Sequence, residues 1–271
     1  MFDIRKPLAL AAAIVMSLSF TACGSKDDDD DDDKDVKKYS SAVDLMKDVN
    51  DHIDGKGYAI KMEMTMNIKM KNGEQAMDMK MVEHEEGTTD GEYSHSTTQE
   101  SVSYEQYPDM NSNESSEEYK QKIGDKMDTY TSEDGGSTWT YSSEDDDDDL
   151  LGTDANNFKN ADLKTTSKGY EISGKVSELG DSNPFAEENE SLNSFGITDM
   201  NYVLTINSDL EPVSIVVEKM DFESPKEYAE ETLGEGGTIT GDLELAVRYS
   251  DWGKIKSGDI TIPEEALKAK G

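Results

Sequence analysis

From Tyr58 to Met70 every even position is large and apolar: Tyr58, Ile60, Met62, Met64, Met66, Ile68 and Met70. Lys61, Glu63, Thr65, Asn67 and Lys69 fill the odd positions between them. Side chains on a strand point alternately to its two faces, so strict period-two alternation over this length specifies a strand with one dry face and one wet face. Asn72-Gly73 is a tight-turn signal, after which Met77, Met79 and Met81 resume the alternation. The prediction is a hairpin of strands 57–71 and 75–84. Its dry face is mostly methionine, with seven of the chain's 14 methionines in this hairpin.

The flanking sequence supports one domain of the same kind. Ser41-x-x-Asp44 resembles a capping box with Asp in place of Glu or Gln. Val43, Met46, Val49, Asn50 and Ile53 follow at helical spacing, which predicts an amphipathic helix over 41–53 ended by Asp54-Gly55. Further strands are expected at 91–107, 117–131, 137–142, 161–166, 169–179, 197–207, 213–222 and 237–250. Short connecting helices are expected through Phe158, after Asn183-Pro184, and after Ser224-Pro225 up to Gly234. The predicted class is α+β, mainly β: a single curved antiparallel sheet, an open half-barrel, with an N-terminal amphipathic helix.

Composition separates this domain from what precedes it. The chain has 271 residues, 61 acidic and 26 basic, for a net charge of −35. Nucleic acid is an unsuitable partner, because phosphate contacts need clustered Lys and Arg. The only arginines are Arg5 and Arg248. Residues 1–22 have a short positive start and an apolar stretch from Leu8 to Phe20, the layout of a secretory signal peptide. Thirteen apolar residues are too few to span a bilayer comfortably. The following 23–39 hold the lone cysteine, Cys23, and seven aspartates from Asp27 to Asp33. Such a block of like charge reads as an extended tether; oxygen ligands could give it a weak Ca²⁺ affinity. The domain is then 40–271, with a second acidic run at 144–149 expected as a loop.

Phe20-Thr21-Ala22-Cys23-Gly24 resembles the lipobox of bacterial lipoproteins, with Phe in place of the usual Leu, Val or Ile. The resemblance implies cleavage before Cys23 and a diacylglycerol on its sulfur. The protein would then be extracytoplasmic and anchored to the cell membrane, and Gly24 is compatible with a Gram-positive anchor. Two acyl chains suffice for stable attachment.

Few residues suggest chemistry. Ser132-x-Asp134-x-Gly136-x-Thr138-Trp139 matches the Asp-box pattern, a hairpin device in which Asp and Ser hold the turn and Trp packs beneath it. Gly169 to Lys175 has the spacing of a phosphate loop, but Val176 stands where a hydroxyl should coordinate Mg²⁺. No two of His52, His84 and His95 have helical metal-ligand spacing, and no nucleophile elbow occurs. An enzyme is not expected, nor a cofactor or a metal.

Residues 40–267 also resemble bacterial lipoproteins with a LolA/LppX-like half-barrel. The resemblance is carried by the helix after the tether, the YAIKMEMTMNIKM strand, and Tyr130-x-x-x-Asp134-Gly-Gly-x-x-Trp139. The hairpin NYVLTINSDLEPVSIVVEKM and a late strand closing on Ile260-x-Ile262-Pro263 complete it. It implies a lipid, lipoprotein or other amphiphile bound in the concave face. Met62, Met64, Met66, Met77 and Met79 are the candidate lining, methionine being flexible and polarizable enough to accept varied apolar ligands. The alternative is a surface-interaction or structural lipoprotein with a closed core and no small-molecule ligand. The sequence names no protein partner.

Overall fold

A computed structural model describes residues 37–124, 126–145, 155–176, 197, 200–256 and 258–270. The signal segment, Cys23 and the tether up to residue 36 lie outside them. So do most of the second acidic run and the helix expected after Asn183-Pro184.

Eleven strands form one antiparallel sheet: β1 (Tyr58–Asn72), β2 (Gln75–Thr89), β3 (Tyr93–Tyr104), β4 (Ser112–Ile123), β5 (Lys126–Ser132), β6 (Thr140–Asp145), β7 (Asp162–Thr166), β8 (Gly169–Lys175), β9 (Asn201–Asn207), β10 (Pro212–Glu223) and β11 (Thr238–Ser250). Their order is β6-β5-β4-β3-β2-β1-β11-β10-β9-β8-β7. The sheet is therefore two meanders. β1 to β6 run outward to one edge; β7 to β11 return from the other edge to the centre. They join where β1 pairs with β11, from Ala59↔Ser250 to Lys71↔Thr238. β6 and β7 are free edges, so the sheet stays open.

Among the described residues three α-helices accompany it: α1 (Ala42–Ile53), α2 (Lys226–Leu233) and α3 (Glu264–Leu267). Ser41 Oγ caps α1 by accepting from the Asp44 amide at 3.1 Å. Asp44 does not reciprocate to the cap amide; Ser40 Oγ donates to its carboxylate instead. The buried stripe of α1 is Ala42, Leu45, Met46, Val49 and Ile53, with Val43 and Asn50 at its margins rather than in it. This stripe shares one core with the inner face of the sheet. Tyr39 and Tyr170 pack edge to face at 5.4 Å, and Tyr170 Oη donates to the Lys37 carbonyl, tying the segment before α1 to β8. Among the described residues no helix is long and apolar enough to cross a membrane.

Several expectations are corrected. The run 117–131 is two strands, not one, turning at Gly124 with φ +65°. The signal was a change of parity: Tyr119 pairs with Tyr130, so an odd and an even position share a face. Glu144 and Asp145 are not loop; their backbones pair with Met127 and Lys126 in β6. β2 continues to Thr89, five residues past the expected end. Ile260 to Pro263 is not a strand. It is an extended strap that lays Ile262 and, from α3, Ala266 over Tyr130 on the outer face. Tyr93, Tyr119, Trp139 and Tyr141 pack around this small second core. Lys270 closes the strap on the buried Asp128 carboxylate, to which Tyr141 Oη also donates.

Candidate functional site on the inner face

Directly paired residues in a sheet share a face, so the register maps the inner surface residue by residue. Towards the turn, Met66 faces Met81, Ile68 faces Met79 and Met70 faces Met77 across β1 and β2. On the other side of β1, Met62, Met64 and Met66 face Val247, Leu245 and Leu243 of β11. The five predicted lining residues therefore lie on one continuous face. None is more than 4% exposed. They belong to the same core as Leu45, Met46 and Val49 of α1.

The turn that creates this register is a two-residue loop, Gly73-Glu74, closed by the Asn72↔Gln75 pair. Gly73 adopts φ +60°, which a side chain disfavours, and Asn72 spends its amide on the Leu233 carbonyl of α2 at 2.8 Å. Asn72 thus anchors a helix as well as preceding the turn.

Farther from the turn the same face changes chemistry. Met64 faces Glu83, and Met62 faces Glu85. Glu83 is 0% exposed and Glu85 7%. Both carboxylate oxygens of Glu83 are buried without a hydrogen-bond partner. Burial first, then the neighbouring charges of Glu100 and Glu85, push the Glu83 carboxyl up to about 8. Burial also raises Glu85, to about 7, against a hydrogen bond from Ser96. Glu118 and the largely buried Lys120 form an ion pair at 3.1 Å nearby. The expected strand 75–84 ends before Glu85 and gives Glu83 no role. The signal was available: the phase of Met77, Met79 and Met81, continued by twos, falls on 83 and 85.

The outer face differs in kind. A cleft of about 360 Å³ there is bordered by Lys61, Glu63, His84, Glu86, Gln99 and Arg248. Its charges neutralise one another, through Lys61–Glu86 at 2.5 Å and Arg248–Glu63. Among the described residues no three His, Cys, Asp or Glu side chains converge to hold a metal ion.

The Asp-box residues form the turn between β5 and β6. Ser132 Oγ donates to Asp134 Oδ1 at 2.9 Å and accepts from the Gly136 amide at 2.8 Å. Asp134 accepts from the amides of Ser137 and Thr138 and from the Thr138 hydroxyl. The Thr138 contacts lead in holding its carboxyl down to about 2. Trp139 Nε1 donates to the Gly136 carbonyl at 3.1 Å, and its ring lies 5.8 Å from that of Tyr119. Every polar group of the motif is spent within the turn. It sits on the outer side, away from the methionines.

No protein-family model matches the chain, and no curated protein matches it. Among solved structures it is similar to a DUF1329 family protein from Desulfovibrio piger, at 11% identity and a TM-score of 0.27, over 81% of this chain and 93% of that one. It is also similar to the translocator domain of the autotransporter NalP from Neisseria meningitidis, at 8% identity and a TM-score of 0.22, over 75% of this chain and 92% of that one. Both TM-scores are too low for either structure to inform what this chain does.

Proposed function

We propose that this chain is an extracytoplasmic lipoprotein with a LolA/LppX-like half-barrel, anchored to the cell membrane through Cys23. On this reading it holds a hydrophobic or amphiphilic ligand against the inner face of its open sheet. One observation carries the proposal: a continuous methionine face on the inner side of a sheet with two free edges. Unbranched thioether side chains repack around differently shaped apolar groups at low cost, as branched ones do not. Met62, Met64, Met66, Met77 and Met79 make the contacts, and no covalent chemistry is involved. α1 lies over the same face and is the element that gives way to a ligand.

A second reading is favoured by the tight burial of those five residues, none above 4% exposed. In it the methionines are plain core, and the protein acts through its surface in the cell envelope.

Native mass spectrometry of the protein purified from its own envelope separates the two. Added mass that organic solvent removes, and that matches a lipid, supports carriage and identifies the cargo. A clean apo mass with no uptake of added lipid rules carriage out. The anchor has its own test: Cys23→Ser is expected to abolish incorporation of a labelled fatty acid and to release the protein from the membrane. Label retained in that variant would refute lipidation at Cys23.

A further inference from the structure

One row of directly opposed inner-face residues crosses six strands: Val217, Leu245, Met64, Glu83, Glu100 and Glu114. It is apolar through β10, β11 and β1, then carboxylate through β2, β3 and β4. Exposure rises along the second half, from enclosed Glu83 through half-buried Glu100 to exposed Glu114. Like charges directly opposite each other destabilise a sheet. An enclosed carboxylate with no hydrogen-bond partner costs still more. Stability alone would continue the row with methionine or valine. Such a local violation of the packing rules marks a place held for something else.

We propose that Glu83 and Glu100 form a recognition site for the cationic head group of an amphiphile, whose alkyl chain lies along Met64 and the methionines beside it. The proposal rests on the amphiphile reading above and adds the chemistry of the head group. An ammonium group supplies the hydrogen-bond donors that both oxygens of Glu83 lack, together with the charge that Glu100 and Glu114 face. The nearest cation on this face, Lys120, is engaged with Glu118. A metal ion fits less well. Among the described residues no three His, Cys, Asp or Glu side chains converge on a point. Anionic head groups are repelled. Burial and the Glu100 charge hold Glu83 protonated near neutrality, so binding a cation there releases a proton.

The test is calorimetric titration of the purified chain at pH 7 in about 150 mM salt, where the Debye length is near 8 Å and diffuse attraction to the acidic surface is screened. Three probes share a twelve-carbon chain: dodecylammonium, dodecyl maltoside and dodecyl sulfate, each below its micellar concentration. The expected result is one-to-one binding of dodecylammonium at least tenfold tighter than the maltoside. Its apparent enthalpy should shift between buffers of different ionisation enthalpy, which reports the released proton. In Glu83→Gln/Glu100→Gln the ammonium-to-maltoside affinity ratio falls towards one. In the control Glu74→Gln/Glu92→Gln, which changes two exposed turn residues, the ratio stays above ten. If the double variant fails to fold, Glu100→Gln alone, at the half-buried position, is expected to lower the ratio severalfold. Equal affinity for all three probes, or a ratio that the Glu83 and Glu100 changes leave in place, overturns the head-group site while leaving amphiphile carriage standing. Uptake of none of the three overturns both.

Discussion

At the residue scale, Glu83 sets a pH dependence whose sign follows from its surroundings. In the unfolded chain its carboxyl ionises near the ordinary 4.5, whereas in the fold it holds its proton to about 8. The folded state therefore binds more protons between those values. Its contribution to stability is complete below pH 4.5 and is lost as the pH rises through 8. Glu83→Gln removes that loss. Urea unfolding is expected to show the variant more stable than wild type by on the order of a few kcal/mol at pH 8, with the gap closing by pH 4.5. A gap that does not change with pH would show that Glu83 ionises normally in the fold. Asp134 works in the opposite sense, since its hydrogen bonds hold the carboxyl near 2 and are lost only in strong acid. Its neighbour Ser132 is 1% exposed and serves the Gly136 amide. Ser132→Ala is expected to cost about 1 kcal/mol, read as a lower urea midpoint at unchanged slope.

At the scale of elements, legibility depended on whether the hydrophobic period ran unbroken. β1 and the Met77 to Met81 part of β2 could be read from residues alone, because each position repeats the same instruction. The 117–131 segment could not, since a turn at Gly124 resets the phase. Nor could β10. There the register slips between Val217 and Met220, so that odd residues face inward before the bulge and even ones after it. Bulges restore pairing at the expense of alternation, which is the only pattern a strand shows in sequence. The strap was misread because Ile260-x-Ile262 has strand periodicity, and pairing partners are not encoded locally. Within the candidate site the methionines were visible by the same rule. The two glutamates on their face were not, because residue type argued against burial. Gly241 illustrates what periodicity omits altogether. A Cβ there would lie 2.2 Å from the Asn67 carbonyl oxygen and 2.5 Å from the Phe222 ring. Gly241→Ala must push β11 off β1 near the start of their pairing, where Gly241 faces Ile68, and overpacking of this kind costs about 1–3 kcal/mol. A variant as stable as wild type by thermal melting would mean that the Asn67 backbone and the Phe222 ring both yield without cost.

At the scale of the molecule, charge is the dominant unpaid term. A net charge of −35 on one chain repels itself in the compact state. The ion pairs do little to offset it. Lys61–Glu86 and Lys164–Glu171 are exposed, and pairs of that kind are worth about 0–1 kcal/mol. Raising sodium chloride from 0.01 to 1 M shortens the screening length from about 30 to 3 Å. The melting temperature is expected to climb by several degrees over that range. A flat or falling curve would show that the acidic side chains are spaced widely enough not to interact.

The seam between the two meanders also dictates an order of assembly. The first meander consists of successive hairpins, which close quickly and need nothing from the rest of the chain. Its innermost strand, however, keeps one side unpaired until residues 238–250 have been synthesised, more than half the chain later. That bare side is the methionine-rich β1, long and apolar on one face, the kind of template on which stray strands add. A nascent chain thus carries its most adhesive edge from early in its synthesis, and the last strand made is the one that caps it. Deleting 238–250 is expected to turn a foldable half into an aggregating one, whereas a cut after β6 leaves the same hazard with fewer strands to lose.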